Sequence, residues 1–489
     1  MRLFSRNLLL TLFAGMLLAT ATNHVHSGPS GMDAATRKAV LAKLDKAEGK
    51  RGTAGCVIVD LDTGETLLSH NADSPLMPAS NMKLVTSITA LDQLGADFEF
   101  VTRIFGDGSI KDGTLAGDLC IIGGGDPNIS GRFHDDDPLA LFKDWAAQLK
   151  KAGVTRVSGD LKFDSTLFGG EPTSDGWPQD DQYIKWYCAE VTALAFNDNC
   201  VGIRVIPTKS GKPAKIEVVP DTAYVTIVNE TTTKPGRKGA EIGIVRPRDE
   251  NVITVKGAVY EEATWGYYTD VTVHDPARYA ATVLKETLAK EGISVQGDVK
   301  PVTLTHDDVE RCKLLVDHRA SLVQALQPIN TNSQNLHAEM LFRQLGLRYA
   351  GKGTFKTGQA AVYAYLKKQG LLTDDICIED GSGLGRGNHV TANLLVKLLQ
   401  KVAARDDFES FKASMAVGGE SGTLEKRLTN ACVRGKVVAK TGYINGVRSL
   451  SGFLFAGERR YAFSILMNNC VYTKQMQDEI LEVLAKASE

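Results

Sequence analysis

Leu76-Met77-Pro78-Ala79-Ser80-Asn81-Met82-Lys83-Leu84-Val85-Thr86-Ser87 is the stretch whose reading decides the fold. A serine hydroxyl is a weak nucleophile until a neighbouring base removes its proton. Lys83 follows Ser80 by three positions, so on an α-helix the two side chains share a face. The spacing predicts such a helix. Pro78 suits a first turn, and Leu84, Val85, Ile88 and Leu91 recur at intervals that bury one side. Ser80 then stands near the positive end of the helix dipole, where developing negative charge is favoured. For Lys83 to act as the base its amine must be neutral, which requires burial or a second cation nearby. An amphipathic helix with a capping serine and a solvated lysine produces the same spacing, and only the rest of the chain separates the two.

The chain has 489 residues, too many for one hydrophobic core, so two or three domains are expected. Its formal net charge of -2 gives no electrostatic case for nucleic acid or an anionic membrane as partner. Arg2 and Arg6 precede an apolar run over residues 8–18, and Ala19-Thr20-Ala21 follows as a small-x-small site. That is the layout of a secretory signal peptide over residues 1–21, with an apolar run too short to span a bilayer. The mature form is expected to be exported, periplasmic, and without a transmembrane segment. The eight cysteines are compatible with disulfides in an oxidising compartment, and equally with buried free thiols. None forms a Cys-x-x-Cys pair and the histidines are scattered, so neither a metal nor a cofactor is expected.

Outward from Ser80, the texture is α/β, then β-rich, then α/β again. Residues 33–48 read as an amphipathic helix, and 54–61 with 65–69 as a hairpin turning at Asp62-Thr63-Gly64. From about residue 98, short apolar runs alternate with Gly and Asp turns. A helix is expected at 138–153 and strands at 201–206 and 223–228. A helix returns at 276–291, with His274-Asp275 at its entry and Gly292 at its exit. Helical patterns then recur at 321–326, 335–346, 359–370 and 391–404. Strands follow at 436–444, 449–455 and 461–467, and a last helix at 474–486.

Two further motifs could complete a site. Ser333 and Asn335 do not share a helix face, so both can enter one site only from a tight turn, and Asn330-Thr331-Asn332-Ser333 has turn chemistry. A hydroxyl there relays protons, and an amide binds a substrate carbonyl while its oxygen accepts from a lysine. A helix N-cap at Ser333 is the rival explanation. Ser69-His70-Asn71 repeats the spacing at the end of a hairpin strand. In Val437-Val438-Ala439-Lys440-Thr441-Gly442-Tyr443-Ile444, apolar residues mark a strand that presents a cation and a hydroxyl to an anionic group. Gly442 lets a ligand backbone approach closely, and an N–H of this strand with that of Ser80 could form an oxyanion hole. The repeat at Lys356-Thr357-Gly358 precedes a helical pattern, where Thr357 is better read as a cap.

In the order Ser80-x-x-Lys83, Ser333-x-Asn335, Lys440-Thr441-Gly442, the chain resembles the penicillin-recognising serine enzymes. The long interval between Ser80 and Ser333 resembles the low-molecular-mass class C penicillin-binding proteins, the D-alanyl-D-alanine carboxypeptidase/endopeptidases. Gly124-Gly125-Asp126-Pro127, Asp175-Gly176-Trp177-Pro178, Asp380-Gly381-Ser382-Gly383-Leu384 and Gly446-Val447-Arg448-Ser449-Leu450-Ser451-Gly452 look like that family too. The resemblance implies that Ser80 is acylated and Lys83 is its base. Ser333 and Asn335 would assist proton transfer and hold the substrate amide. Lys440, with Thr441 and Gly442, would bind the terminal carboxylate, and repulsion from Lys440 would keep Lys83 partly deprotonated. The N–H groups of Ser80 and Tyr443 would make the oxyanion hole, and Asp380 and Ser382 line the site or simply form a glycine-rich turn. One departure stands out: the family usually carries Thr or Ser after Lys-Thr-Gly, and here Tyr443 removes that hydroxyl.

The fold class implied is an α/β (α+β) penicillin-recognising serine transpeptidase-like domain with inserted β-rich domains. Residues 33–98 and 310–489 would form the peptidase domain, 99–187 and 268–309 an inserted domain II, and 188–267 a β-rich domain III. The implied partners are peptidoglycan stem peptides and β-lactams. A serine β-lactamase or esterase is the first rival; a non-catalytic wall-binding protein on the same fold is the second.

Overall fold

The computed structural model describes residues 31–488 apart from 238, 264 and 265. The expected signal peptide at 1–21 lies outside the described residues. A six-stranded antiparallel sheet organises the two ends of the chain, in the order Ala416–Val417, Val437–Ile444, Val447–Ala456, Arg459–Asn468, Thr53–Asp60, Thr66–His70. The N-terminal strand Thr53–Asp60 pairs with the C-terminal Arg459–Asn468 from Thr53↔Asn468 to Asp60↔Tyr461, so neither end completes the sheet alone. Alternation along the strands gives each face its own core. Val57, Val59, Val438, Phe453 and Leu466 meet the helices Met82–Leu94, Asn335–Ala350, Phe355–Lys368 and Ala392–Ala403. On the other face Cys56, Ile58, Ala439, Leu450 and Ile465 meet the helices Ala34–Glu48 and Thr473–Lys486. The first of these helices starts where Asp33 accepts the N–H groups of Ala35 and Thr36, at 2.8 and 2.9 Å.

Between residues 98 and 322 the chain builds three further sheets around a separate apolar core that includes Trp145, Phe196, Val255 and Tyr279. The largest carries Thr114–Ile122 at its centre, with Glu99–Lys111 beside it and Lys313–Ser321 at the edge. Two three-stranded sheets hold Thr226–Lys234, Ala240–Val245 and Val252–Tyr260, and Cys200–Ile206, Lys215–Val219 and Tyr267–Thr272. The strand expected at 223–228 begins only at Thr226. Tyr224 instead donates its hydroxyl to the carbonyls of His274 and Asp275, ahead of the helix Pro276–Lys290. Among the described residues no disulfide joins any of the eight cysteines, and five of them are buried.

Candidate active site

Ser80 is not on an α-helix as the spacing suggests. It sits in a single 3-10 turn, Ala79–Asn81, from which the helix Met82–Leu94 continues. The turn is set by sheet contacts. Asn81 donates to Ser451 Oγ at 2.6 Å, and Ser449 Oγ donates to the Pro78 carbonyl at 2.6 Å. Ala79 is held at φ 45°, a left-handed conformation unusual for alanine. Lys83, one turn on, is fully buried. Its Nζ donates to Ser80 Oγ at 3.0 Å, to Asn335 Oδ1 at 2.6 Å and to the Ser382 carbonyl at 2.8 Å. Burial brings the Lys83 amine down to about 7, against the Glu339 and Asp380 carboxylates, which favour its charged form. An amine that titrates near neutral pH is thereby placed against the Ser80 hydroxyl, an arrangement able to serve general-base chemistry.

The Ser333-Gln334-Asn335 turn explains how residues two apart reach one site. Ser333 takes φ 65°, and the helix Asn335–Ala350 starts after it. Ser333 therefore faces Lys440, whose Nζ donates to its Oγ at 2.9 Å, while Asn335 faces Lys83. The Asn335 amide also donates to the Tyr187 carbonyl at 2.8 Å, so the inserted region braces this turn. Lys440 is buried, donates to its neighbour's Thr441 carbonyl at 2.7 Å, and lies well below the ordinary lysine range because of burial first and Lys83 second. Burial, rather than repulsion from Lys440, is the main cause of the low Lys83 value. Gly442 packs so closely that a Cβ would lie 2.0 Å from Ser449 Oγ and 3.0 Å from Ser80 N. That approach sets the outer edge of the strand Val437–Ile444 beside Ser80, where donors can meet an oxyanion. Beyond Ala439 that edge pairs with no other strand among the described residues. The two decoys are elsewhere: Thr357 closes a capping box with Thr354, and Asn71 ties the hairpin to the Ala54 carbonyl.

Glu339 is the residue that motif reading misses. It lies one helical turn after Asn335, fully buried, and accepts the N–H groups of Gly381 and Ser382 at 3.0 and 2.7 Å. The i, i+4 spacing from Asn335 was its only sequence signal. Burial first, then Asp380, raises its carboxyl to about 8. Asp380 accepts from Gly383 N, Gly385 N, Asn388 Nδ2 and Trp177 Nε1, all between 2.7 and 2.9 Å. It thus builds the loop that lends the Ser382 carbonyl to Lys83, and Ser382 contributes through its backbone. Gly383, at φ 80°, passes so close to Ala79 that a Cβ would meet the Ala79 carbonyl at 1.8 Å.

The model of the family D-Ala-D-Ala carboxypeptidase 3 (S13) matches residues 37–487. The chain is 35% identical over 445 residues to the D-alanyl-D-alanine carboxypeptidase of Actinomadura sp. (strain R39), covering 88% of this chain and 80% of that protein. It is 26% identical to the D-alanyl-D-alanine carboxypeptidase DacB of Haemophilus influenzae, covering 82% of each. The crystal structure of penicillin binding protein 4 (dacB) from Haemophilus influenzae superposes with a TM-score of 0.77 at 24% identity, over 91% of this chain and 98% of that one, which gives the same fold. The resemblance carried by the three motifs is therefore borne out over nearly the full length, and the chain belongs to the D-Ala-D-Ala carboxypeptidase 3 (S13) family.

Proposed function

We propose that this serine-type D-Ala-D-Ala carboxypeptidase/endopeptidase works on peptidoglycan stem peptides through an ester on Ser80. The observation that carries the reading is the buried Lys83 amine, 3.0 Å from Ser80 Oγ and shared with Asn335. Lys83 takes the Ser80 proton as Oγ bonds to the carbonyl carbon of the penultimate D-Ala. The oxyanion that forms faces the N–H groups of Ser80 and Tyr443. Collapse breaks the C–N bond, and the leaving amine takes a proton through the Lys83, Ser333 and Lys440 group. Water then attacks the ester, with Lys83 again as base, and releases the shortened peptide. Asn335 holds the substrate amide, and Thr441 with Gly442 lines the edge along which the peptide lies.

Because stem peptides lie outside the cytoplasmic membrane, the protein acts in the periplasm. Among the described residues no helix is long and apolar enough to cross a membrane. The peptidase unit combines residues 33–98 with the C-terminal part of the chain, and the inserted units lie between. The pairing of Lys313–Ser321 with Glu99–Lys111 supports drawing the return to the peptidase unit, expected at residue 310, nearer the helix Leu322–Asn330.

A labelled penicillin followed by mass over time tests the reading. A long-lived adduct on Ser80, absent in Ser80→Ala, is the expected result. Rapid release of hydrolysed drug would indicate a β-lactamase, and no adduct would leave a binding protein.

A further inference from the structure

Asn332 and Gln334 alternate with Ser333 and Asn335 along one turn, and they serve a different space. They line a cavity of about 490 Å³ whose walls include Trp186, Arg132 and Asp198 from the inserted region, while Ser80, Lys83, Ser333 and Lys440 stay outside it. The cavity and the Ser80 site thus meet at a single turn, one residue, about 3.8 Å of Cα spacing, apart along the chain.

The far wall is one face of a small sheet. On the paired strands Tyr267–Thr272 and Cys200–Ile206, Tyr268 is opposite Arg204 and Asp270 is opposite Gly202. Residues two apart on a strand share a face, so Tyr268, Asp270 and Arg204 border the cavity together. Gly202 makes room for the ring, since a Cβ there would lie 2.4 Å from the Tyr268 hydroxyl. That hydroxyl donates to Asp270 Oδ1 at 2.9 Å. Asp270 makes no ion pair among the described residues, because Arg132 is committed to Asp198, its Nε donating to Oδ2 at 3.1 Å. Asp198 is the middle of three consecutive residues, Asn197 to Asn199, at φ 49°, 54° and 55°. Such a left-handed run persists only where its surroundings impose it.

The lining describes its occupant. Its broad apolar surfaces are aromatic, with Trp186 37% and Tyr268 51% exposed. Its charges nearly balance, Arg132 and Arg204 against Asp136, Asp198 and Asp270, so there is little field to concentrate an ion. Gln334 is 3% exposed, and its Oε1 has no hydrogen-bond partner among the described residues, a buried acceptor that calls for a donor. The electron-rich faces of aromatic rings suit the C–H groups of a sugar ring. Carboxylate, amide and guanidinium groups suit hydroxyls, which both donate and accept. A stem peptide hangs from an N-acetylated amino sugar by its first residue, and three residues of extended chain span about 10 Å. The sugar therefore stays within reach of the Ser333 turn while Ser80 engages the fourth residue.

We propose that this cavity is a saccharide subsite, in which a neutral N-acetylated amino sugar of the glycan strand packs on Trp186 and Tyr268 and hydrogen-bonds to Asp270 and Gln334. The proposal rests on the peptidoglycan reading above, and it gives the inserted region a part in choosing the substrate.

The test gives the full chain a stem pentapeptide ending in D-Ala-D-Ala, either free or carrying N-acetylglucosaminyl-N-acetylmuramic acid at its N-terminus. The wild type should favour the sugar-bearing form by roughly tenfold in kcat/KM, as one or two added hydrogen bonds give. Tyr268→Ala and Trp186→Ala should each bring that preference below about threefold. Asp270→Asn, which keeps the shape, should fall between. Tyr349, an exposed tyrosine of the peptidase unit, is the comparator, and Tyr349→Ala should keep the full preference. No preference in the wild type, or one that survives in both Tyr268→Ala and Asp270→Asn, would overturn the subsite. An equal fall on both substrates would assign the cavity to the peptide and overturn it too. Should Tyr268→Ala not fold, the ratio in Asp270→Asn decides. A wild type inert to both substrates and to penicillin would instead overturn the peptidase reading, and the subsite with it.

Discussion

The carboxylate of Glu339 accepts the backbone N–H of Ser382 at 2.7 Å, and the carbonyl of the same Ser382 accepts from Lys83 Nζ at 2.8 Å. One peptide unit thus joins an acid on the helix Asn335–Ala350 to the amine on the helix Met82–Leu94. Both groups are buried. Burial raises the acid and lowers the amine, so the two converge near neutral pH and titrate together. Asp380 keeps the connecting loop in place through its four donors.

Glu339 is therefore a positioning residue. Glu339→Gln removes the partner that titrates with Lys83, leaving an amine drawn down by burial alone, so the acid limb of the acylation rate should move to lower pH. The variant also leaves one of the two loop N–H groups without an acceptor, at a cost of about 1–3 kcal/mol. Penicillin acylation rates across pH, with a denaturant titration, check both effects. A loss of stability with an unmoved acid limb would mean that Glu339 only holds the loop.

With Lys83 as the proposed base, acylation of the wild type should fall as pH drops below about 7, where the amine takes up its proton. The falling limb should be absent from the binding step alone. Stopped-flow measurement of the Ser80 adduct between pH 5 and 9 would separate the two. Rates that stay flat through this range would exclude Lys83 as the titrating base.

Gly442→Ala should be far more damaging than a methyl group suggests. The added Cβ would lie 2.0 Å from Ser449 Oγ, 2.7 Å from the Pro78 carbonyl and 3.0 Å from Ser80 N. Either the strand moves away from Ser80 or the turn carrying Ser80 shifts; overpacking of this kind typically costs about 1–3 kcal/mol. Acylation should slow by roughly a hundredfold, as expected for about 1 Å of misplacement. Adduct formation measured beside the melting temperature distinguishes a displaced edge from general unfolding.

His337 makes a separate stability prediction. Its ring is fully buried, neither nitrogen has a hydrogen-bond partner among the described residues, and Nδ1 lies 3.7 Å from Asp198 Oδ1. Burial, the largest cause, holds it down at about 4 rather than 6.5. Between those values the unfolded chain binds the proton and the folded chain does not. Stability is therefore fully present above about pH 6.5 and is lost as pH falls toward 4, by roughly 3 kcal/mol. His337→Leu should flatten that part of the pH–stability curve in urea titrations; an unchanged slope would point to other groups.

Much of this protein was legible without coordinates. Hydrophobic spacing placed the helix now seen at Ala34–Glu48, the hairpin of Thr53–Asp60 with Thr66–His70, and the closing strands Val437–Ile444, Val447–Ala456 and Arg459–Asn468. These are long periodic segments in which propensity and burial agree. The strand expected at 223–228 was displaced because Tyr224 takes a tertiary hydrogen-bonding role. The 3-10 turn at Ser80 was hidden because sheet residues Ser449 and Ser451 impose it.

By itself, the order of residues determined which side chains could do the chemistry: a hydroxyl and amine one helical turn apart, a turn with Ser333 and Asn335, and a strand with Lys440. Those are short-range facts, set by periodicity and turn chemistry. Only the tertiary structure decided that Lys83 is emptied of water and drawn down to about 7, and that Glu339 reaches it through Ser382. Desolvation and charge proximity belong to the packed interior, where segments hundreds of positions apart share one space, and no local run of residues carries that information.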